Sequence, residues 1–258
     1  MRYLIKSYRE KNFLIIPKLI DMGLKHCFTM SDMDMGLKTN GSVKDVKKNF
    51  NIIYDFIGKR PKEIFSGFQT HSNNVHNIST IDEGKYYAVG KYFDETDGLI
   101  TSLEDIGLVT RFADCTPIVL FDPVKKVHGN IHSGWKGTLK EIGSEAVDKM
   151  IQLHGSNPQD ILVILGPAIG KDDFEVEIDV MKLFEDKFDF HNEVISRKND
   201  IKYLIDLKEI IRRGLVHKGI DDNNIHSLDI STFSHSRFHS FRRDKENFGQ
   251  MACITMLG

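Results

Sequence analysis

The sequence is short of the features that define secreted, membrane-spanning or nucleic-acid-binding proteins. Its 258 residues include three cysteines, Cys27, Cys115 and Cys253. An odd, widely spaced set argues against a disulfide framework and fits a reducing cytoplasm. No apolar run reaches the ~18 residues that a membrane-spanning helix needs. The net charge of −2 gives no general attraction to nucleic acid or membranes. We therefore expect a cytoplasmic protein without nucleic-acid or membrane partners.

Targeting and linker signals are equally scarce. The first 19 residues break their apolar positions with charges and lack the core of a signal peptide. We find no internal repeat, low-complexity tract or long linker. Hydrophobic residues make up 40% and charged residues 28% of the chain, which is ordinary for a globular protein. One domain over residues 1–258 is the simplest interpretation.

Periodicity in the apolar residues predicts a mixed fold. Helical spacing occurs at 46–57, 142–151, 180–188 and 207–215. Ser42 with Asp45 and Asp206 with Glu209 resemble helix starts, and Gly155 and Gly219 resemble helix ends. Strands are predicted at 13–16, 98–101, 107–113, 117–121, 127–132, 161–165, 201–205, 225–230 and 252–257. Successive strands over 107–132, followed by alternating helices and strands, predict an α/β (α+β) fold with mixed sheets.

Reactive side chains concentrate in residues 111–138. Cys115 follows Asp114 at the start of an apolar run, and His132 ends the next run before a glycine-bracketed turn at 133–138. A lone cysteine is about as often a small buried hydrophobe as a functional group. A neighbouring carboxylate disfavours the thiolate, so a reactive Cys115 requires a metal or an imidazolium nearby.

His71, set among polar turn residues, supplies a second imidazole. Either histidine alone is more often an exposed loop residue than a ligand. Together, His71, Cys115 and His132 offer one thiolate and two imidazoles, a donor set that suits zinc with an open fourth position. Their separation in sequence is not that of a local zinc finger. His128 and His132 form a His-x-x-x-His pair, but a strand would place their Cα atoms ~13 Å apart. We therefore expect His128 to be structural or exposed.

The segment 235–245 mixes basic and aromatic residues. Single-stranded nucleic acid could bind such a segment by stacking, and a solvated basic loop is the plainer alternative. We favour a third interpretation, an arm that presents Arg242 and Arg243 to a phosphate or carboxylate. Lys136, in the turn after His132, is a further candidate cation.

An ordered series of motifs resembles a known family. It comprises Gln69-x-His71, Asp97-Gly98-Leu99, Ala113-Asp114-Cys115-x-Pro117, the run from His132 to Thr138, Gly166-Pro-Ala-Ile-Gly170, Phe174-Glu175-Val176 and Phe241-Arg-Arg-Asp244. Together these resemble the polyphenol oxidoreductase (laccase-domain) family, also described as purine nucleoside phosphorylase-like, over roughly residues 25–257.

The resemblance implies a fold similar to cysteine hydrolases and a zinc site at His71, Cys115 and His132. It also implies phosphorolysis of adenosine, inosine, guanosine and methylthioadenosine, deamination of adenosine and, for some bacterial members, editing of peptidoglycan precursors. This chain departs from the family pattern at Met30, Ser231, Phe241 and Gln250, which alters the expected substrate contacts.

The resemblance leaves several mechanisms open. A multicopper oxidase is unfavourable, since none of the 11 histidines forms a His-x-His pair, although Cu²⁺ could occupy the same site as Zn²⁺. For deamination, Asp114 could relay protons or orient the ligands. For phosphorolysis, Arg242, Arg243 and Lys136 are candidates to hold phosphate. The alternatives are a hydrolase with Cys115 as nucleophile and His132 as base, acting on a peptidoglycan precursor, and a binding protein with a structural zinc.

Overall fold

The structure, a computed structural model, describes residues 1–37, 39 and 41–258. The described residues form two large β-sheets, one small sheet and the helices around them. This arrangement confirms the mixed α/β class predicted from the sequence. None of the helices in these ranges has the length and apolar character needed to cross a membrane.

The larger sheet has eight strands, labelled here in chain order. Their spatial order is β1 (Leu4–Tyr8), β2 (Lys11–Ile15), β3 (Leu24–Thr29), β17 (Met251–Leu257), β9 (Ile106–Phe112), β4 (Glu63–Gly67), β7 (Gly90–Phe93) and β6 (Lys85–Tyr87). Strand β4 runs parallel to both β9 and β7, and the other neighbouring pairs are antiparallel. The parallel strands β4 and β9 therefore end at the same edge.

The second sheet has six strands, in the order β16 (Ile225–Ser227), β12 (Leu162–Leu165), β10 (Thr116–Asp122), β11 (Val127–Ser133), β8 (Gly98–Thr101) and β5 (Val75–Ile78). Its β5–β8 and β12–β16 pairs are parallel and the rest are antiparallel. The small antiparallel sheet consists of β13 (Glu175–Glu177), β15 (Lys202–Ile205) and β14 (Ile195–Arg197).

Eight α-helices occur in the described ranges. They are α1 (Pro17–Asp21), α2 (Val43–Ile57), α3 (Trp135–Leu139), α4 (Ile142–His154), α5 (Ile178–Lys187), α6 (His191–Val194), α7 (Leu207–His217) and α8 (Phe241–Asp244). The four predicted helices correspond to α2, α4, α5 and α7. The expected start of α2 is confirmed, because Ser42 Oγ accepts a hydrogen bond from Asp45 N and the Asp45 carboxylate accepts one from Ser42 N. Gly155 ends α4 in a left-handed conformation, as predicted.

The two large sheets pack face to face. Phe28 and Phe112 of the larger sheet meet Val119 and Phe121 of the second in one buried cluster. The outer face of the larger sheet is covered by α2, and that of the second by α4 and α7. Apolar residues on both faces of β9 and β10 therefore pack into a core on each side of their sheet, as predicted from these nearly all-apolar strands.

A buried polar contact fixes the alignment of the two sheets. Asn130 of β11 donates from Nδ2 to Leu108 O at 3.0 Å and to Cys253 O at 2.9 Å, and its Oδ1 accepts from Thr110 Oγ1 at 2.7 Å. All of these groups are buried, so a shift of one sheet over the other would leave polar atoms unpaired.

Some sequence expectations were wrong. The strand predicted at 225–230 ends at Ser227, and the chain continues without regular pairing to the isolated bridge between Ala168 and Ser231. The turn expected at 133–138 is instead the end of β11 and the start of α3, with Gly134 as the helix N-cap. His128 is fully buried rather than exposed, and its Nδ1 lies 3.0 Å from Thr255 Oγ1, which agrees with the structural role also considered for it.

Candidate metal centre

Two segments that pass from the larger sheet to the second sheet carry two of the predicted ligands. The chain leaves β4 and enters β5 through His71, and it leaves β9 and enters β10 through Cys115. The side chain of Gln69 joins these crossings: its Oε1 accepts from Arg111 N at 2.9 Å and its Nε2 donates to Arg111 O at 2.7 Å. Because β4 and β9 are parallel, both crossings leave the sheet at one edge.

The third ligand arrives from the end of β11. Strand β10 pairs with β11 so that Thr116 faces Ser133 and Pro117 faces His132. Continuing this register sets Cys115 opposite Gly134, beside His132. The structure therefore brings together His71, Cys115 and His132, which lie far apart in the sequence.

The geometry of the three donors fits a metal ion. Their ligand atoms all lie within 4.8 Å of one another, and Cys115 Sγ is 3.7 Å from His71 Nε2. Tetrahedral zinc with bonds of ~2.3 Å to sulfur and ~2.0–2.1 Å to nitrogen would set these two atoms ~3.6 Å apart. The ring centroids of His71 and His132 are 5.1 Å apart, at an angle of 69°. A thiolate and two imidazoles at these distances can hold zinc or copper.

The Asp97 carboxylate holds the candidate metal ligands in place through hydrogen bonds. Its Oδ1 lies 2.9 Å from His132 Nδ1, which leaves Nε2 as the ligand atom of His132. The same carboxylate accepts backbone hydrogen bonds from Thr70, His71 and Ser72 and one from the Ser72 hydroxyl. A carboxylate behind a histidine ligand fixes its tautomer and ring orientation. Asp97 therefore positions two of the three donors.

His71 and Asp114 adopt left-handed backbone conformations, with φ of 59° and 82°. Such conformations cost non-glycine residues free energy and persist only when surrounding contacts enforce them. At His71 the bonds to Asp97 provide that enforcement. At Asp114 it comes from its own carboxylate contacts and from the bond that Ile169 N donates to Asp114 O.

Gly134 lets the backbone pass directly beside the donors. A Cβ atom at this position would lie 2.3 Å from His71 Cδ2 and 3.0 Å from Cys115 Sγ. Since φ is −75°, the constraint is the close approach rather than the backbone conformation. A side chain at residue 134 would displace two of the three donors.

The charges of the site favour a thiolate facing an imidazolium. Burial opposes ionisation of Cys115, but the imidazoles of His132 and His71 outweigh it and lower the pKa of the thiol. Burial likewise opposes protonation of His132, yet the Cys115 sulfur and the Asp97 carboxylate raise its pKa. The pKa of Asp97 lies far below its usual range because hydrogen bonds from His132 and Ser72 outweigh its burial. A metal cation replaces the protons that these partners favour.

Asp114 faces away from the three donors. Its carboxylate accepts hydrogen bonds from Thr232 Oγ1 at 2.7 Å, Ser240 Oγ at 3.0 Å and Arg242 N at 2.7 Å. These partners belong to the segment from Thr232 to Phe248, called here the C-terminal arm. Asp114 therefore joins the arm to the residue beside Cys115, and its carboxylate is engaged there.

Arg243 is wholly occupied within the arm. Its Nε and Nη2 donate to the Asp244 carboxylate, and its remaining N–H groups donate to the carbonyl oxygens of Thr232, Phe233 and Phe238. All five guanidinium N–H groups are thus used. In this conformation Arg243 has no donor left for an anion.

Arg242 and Lys136 are the more available cations. Arg242 is exposed, donates from Nη1 to Glu175 O at 2.8 Å and lies 5.6 Å from the ring centroid of Phe174. Lys136 lies on the exposed side of α3, with Nζ 5.4 Å from the Trp135 ring.

The four departures from the family pattern occupy different environments. Met30 is buried between the sheets, and Ser231 Oγ accepts from Gly170 N while donating to Asp173. Phe241 is exposed and packs edge-on against Phe248, with ring centroids 5.0 Å apart. The Gln250 backbone bonds to Asp34 and Met35 on the loop before α2.

This fold and donor set define a mixed α/β protein with a Cys-His-His group that can bind a metal. Residues 25–258 match the family described as multi-copper polyphenol oxidoreductase laccase. The chain belongs to this family, as its motifs predicted. Over the described residues, the group of His71, Cys115 and His132 is the one assembly of at least three such donors close enough to share an ion.

Relatives with assigned names are described as purine nucleoside phosphorylases. The protein YlmD of Bacillus subtilis, so described, is 34% identical over 224 residues, covering 85% of this chain and 80% of its own length. The human protein LACC1, also so described, is 34% identical over 266 residues, which cover 95% of this chain and 58% of the human protein. The chain thus spans somewhat more than half of the human relative.

Solved structures share the fold. A hypothetical protein YfiH of Bacillus licheniformis has a TM-score of 0.87 at 28% identity and covers 97% of this chain and 100% of its own. YlmD of Geobacillus stearothermophilus has a TM-score of 0.88 at 23% identity, covering 99% of both chains. At that lower identity the likeness concerns the fold alone.

Sequence reasoning missed the roles of Asp97 and Gly134. Both lie inside motifs that carry the family resemblance, but nothing local shows that Asp97 reaches His132 or that Gly134 abuts two donors. The register of β8 against β11 creates the first contact, and that of β10 against β11 creates the second.

Proposed function

We propose that the chain is a metal-dependent purine nucleoside phosphorylase that also deaminates adenosine, and that residues 1–258 form one domain. The observation that carries the proposal is the convergence of a thiolate and two imidazoles, with Asp97 behind His132. The names of the relatives support purine nucleosides and phosphate as the substrate class. Within that class we propose adenosine, inosine, guanosine and methylthioadenosine, the nucleosides that the family resemblance implies.

His71, Cys115 and His132 would hold the metal, for which zinc is the first candidate and copper the second. A zinc ion held by three protein ligands supplies a Lewis acid and lowers the pKa of a water ligand toward ~7. The residues of this chain set the conditions for that chemistry: Asp97 fixes the ring of His132, and Gly134 leaves space beside the donors.

Phosphorolysis transfers the ribosyl group from the purine to phosphate. A phosphate oxygen forms a bond to C1′ while the bond from C1′ to the purine nitrogen breaks. The base leaves with that electron pair and takes up a proton. Cations near the phosphate stabilise its charge during this exchange. We assign Arg242 and Lys136 to this role, and we assign Arg243 and Asp114 to holding the C-terminal arm that carries Arg242.

The experiment is a nucleoside panel with zinc-loaded protein, with and without phosphate. We expect inosine to give hypoxanthine and ribose 1-phosphate only when phosphate is present. We expect adenosine to release ammonia with or without phosphate, because water is the second substrate of deamination. Base release that is unchanged without phosphate would identify a hydrolase instead. The variant Arg60→Met is a suitable surface control, because Arg60 bonds to exposed Asn51 and packs on Tyr54.

A second function is favoured by the same contact of Asp97 with His132. Cys115, His132 and Asp97 resemble the nucleophile, base and orienting carboxylate of a cysteine hydrolase, which could act on a peptidoglycan precursor. Alkylation separates the two proposals. A metal-bound thiolate is protected from iodoacetamide until a chelator is added, whereas a free nucleophile reacts equally fast with and without the chelator.

A further inference from the structure

Arg111 is a buried cation that has no counter-ion among the described residues. Only 7% of the residue is exposed, and Nε donates to Met35 O at 2.8 Å. Within the described ranges, neither terminal nitrogen of Arg111 has a hydrogen-bond partner, and no carboxylate lies at ion-pair distance. Buried charges are normally paired because an unpaired one loses its hydration without compensation. One of the five N–H donors of the guanidinium is therefore used, and the four on the terminal nitrogens have no partner among the described residues.

Arg111 lines a groove of about 230 Å³. Aromatic rings of Tyr87, Tyr92 and Phe248 form part of its wall, and the centroids of the two tyrosine rings are 5.8 Å apart. Arg111 is the one charged side chain among the described residues that line it. Because Arg111 is buried, water screens its attraction for an anion less than it would at the surface.

Two residues of the groove lie close in sequence to two of the candidate metal ligands, one on each crossing segment. Gln69, which lines the groove, precedes His71 by two residues, and Arg111 precedes Cys115 by four. The amide of Gln69 is bonded to the backbone of Arg111 on both sides. The groove therefore lies at the carboxyl ends of the parallel strands β4 and β9, from which both crossings leave the sheet.

We propose that Arg111 forms an oxyanion subsite in this groove and binds phosphate through its terminal nitrogens. The guanidinium fork matches two oxygens of a tetrahedral oxyanion, and the anion supplies the negative charge that the described residues around Arg111 do not provide. The source is either free inorganic phosphate or the phosphate group of a nucleotide. A role of this subsite in holding the co-substrate phosphate, in addition to Arg242 and Lys136, rests on the phosphorylase activity proposed above, whereas the subsite itself does not.

The test is phosphate binding by calorimetry and thermal denaturation, without nucleoside and at constant ionic strength. Inorganic phosphate is expected to bind the wild type and raise its melting temperature by linkage. In Arg111→Met binding should weaken about 10- to 100-fold, the effect of losing charge-assisted hydrogen bonds. Without phosphate, Arg111→Met should melt no lower than the wild type, because the variant removes an unpaired buried charge. Arg60→Met serves as the control for loss of a surface arginine.

The possible outcomes distinguish failure of the Arg111 subsite from failure of the proposed phosphorylase function. Equal phosphate binding by wild type and Arg111→Met overturns the subsite, and so does a wild type that binds no phosphate or AMP. If Arg111→Met unfolds early, Arg111→Lys is measured instead, and unchanged binding by that variant overturns the bidentate contact. AMP binding that exceeds both adenosine and phosphate binding, with loss in Arg111→Met, assigns the subsite to a nucleotide. Phosphate binding without any phosphorolysis leaves the subsite and refutes the proposed function.

Discussion

Asp97 and His132 are joined by two hydrogen bonds. His132 N donates to Asp97 O at 2.7 Å, and His132 Nδ1 lies 2.9 Å from Asp97 Oδ1. The first bond extends the pairing of β8 with β11 by one residue, and the second aims the ring. Backbone and side chain thus fix the same histidine, so the direction of its Nε2 is set by the sheet itself.

Asp97→Asn should weaken metal binding while preserving the fold. The amide keeps an acceptor but loses the charge that holds His132 and the loop at His71, and changes behind a metal ligand typically cost about 10- to 100-fold in affinity. Chelator competition measures this change. Asp94→Asn is the matched control, since Asp94 is exposed and pairs with Lys85. Equal affinity in both variants would contradict the role of Asp97.

Gly134→Ala should disturb the centre without any change in donor chemistry. The new Cβ would overlap His71 and Cys115, and metal ligands must stay within ~0.2 Å of their bonding distances. We expect zinc affinity to fall by about 10-fold or more in chelator competition. In the control Gly41→Ala the new atom meets its neighbours at 3.5 Å or more. A Gly134→Ala protein that binds zinc like this control would refute the close approach.

The site could be predicted from the sequence only in part. Thiol and imidazole donors are recognisable by type, and the motifs around them specify a family, so His71, Cys115 and His132 could be named. Arg111 could not, because the lack of a counter-ion among the described residues depends on which side chains the strands β6 and β7 and the described part of the loop before α2 place around it. Contacts of this kind arise from tertiary packing, which produces no periodic pattern in the sequence.

The fold, like the site, could be predicted from the sequence only in part. Helix α2 has both a regular apolar stripe and a capping box, so its start and its buried face were predictable. Strand β6 consists of three exposed residues, and β1 has no fully buried position. These strands are held by pairing with a neighbour rather than by burial, and alternation of apolar residues cannot reveal them.

Loss of stability in mild acid should depend on His26. This histidine is buried, its Nε2 accepts from Ile16 N, and burial lowers its pKa to about 4 despite the bond to Leu24 O. The unfolded state, with a pKa of ~6.5, therefore binds the proton first as the pH falls. The contribution is complete above pH ~6.5 and declines toward pH ~4, by about 2 kcal/mol between pH 7 and 5.

Urea unfolding at pH 7 and pH 5 measures this contribution. His26→Gln should show a smaller difference between the two pH values than the wild type, because it lacks the titrating group. His217→Gln, at an exposed position, should retain the wild-type difference. An unchanged difference in His26→Gln would assign the acid sensitivity to other groups, such as buried His128, whose pKa burial lowers to about 3.

Asp114→Asn should loosen the C-terminal arm and leave the metal in place. Asparagine tolerates the left-handed backbone, but it cannot accept all three hydrogen bonds that the carboxylate receives. Loss of one such bond to a charged group costs about 1.5–3 kcal/mol. Trypsin should cleave after Arg237 and Lys245 faster than in the exposed control Asp172→Asn. Zinc loss with unchanged cleavage would instead place Asp114 at the metal.

Metal content per chain tests the central claim most directly. After loading with zinc and removal of excess metal, elemental analysis should find about one zinc per wild-type chain, as a site with three protein ligands predicts. Cys115→Ser and His132→Ala, verified as folded by circular dichroism, should retain little. A folded His132→Ala protein that keeps a full equivalent of zinc would contradict the assignment of His71, Cys115 and His132 as the metal centre.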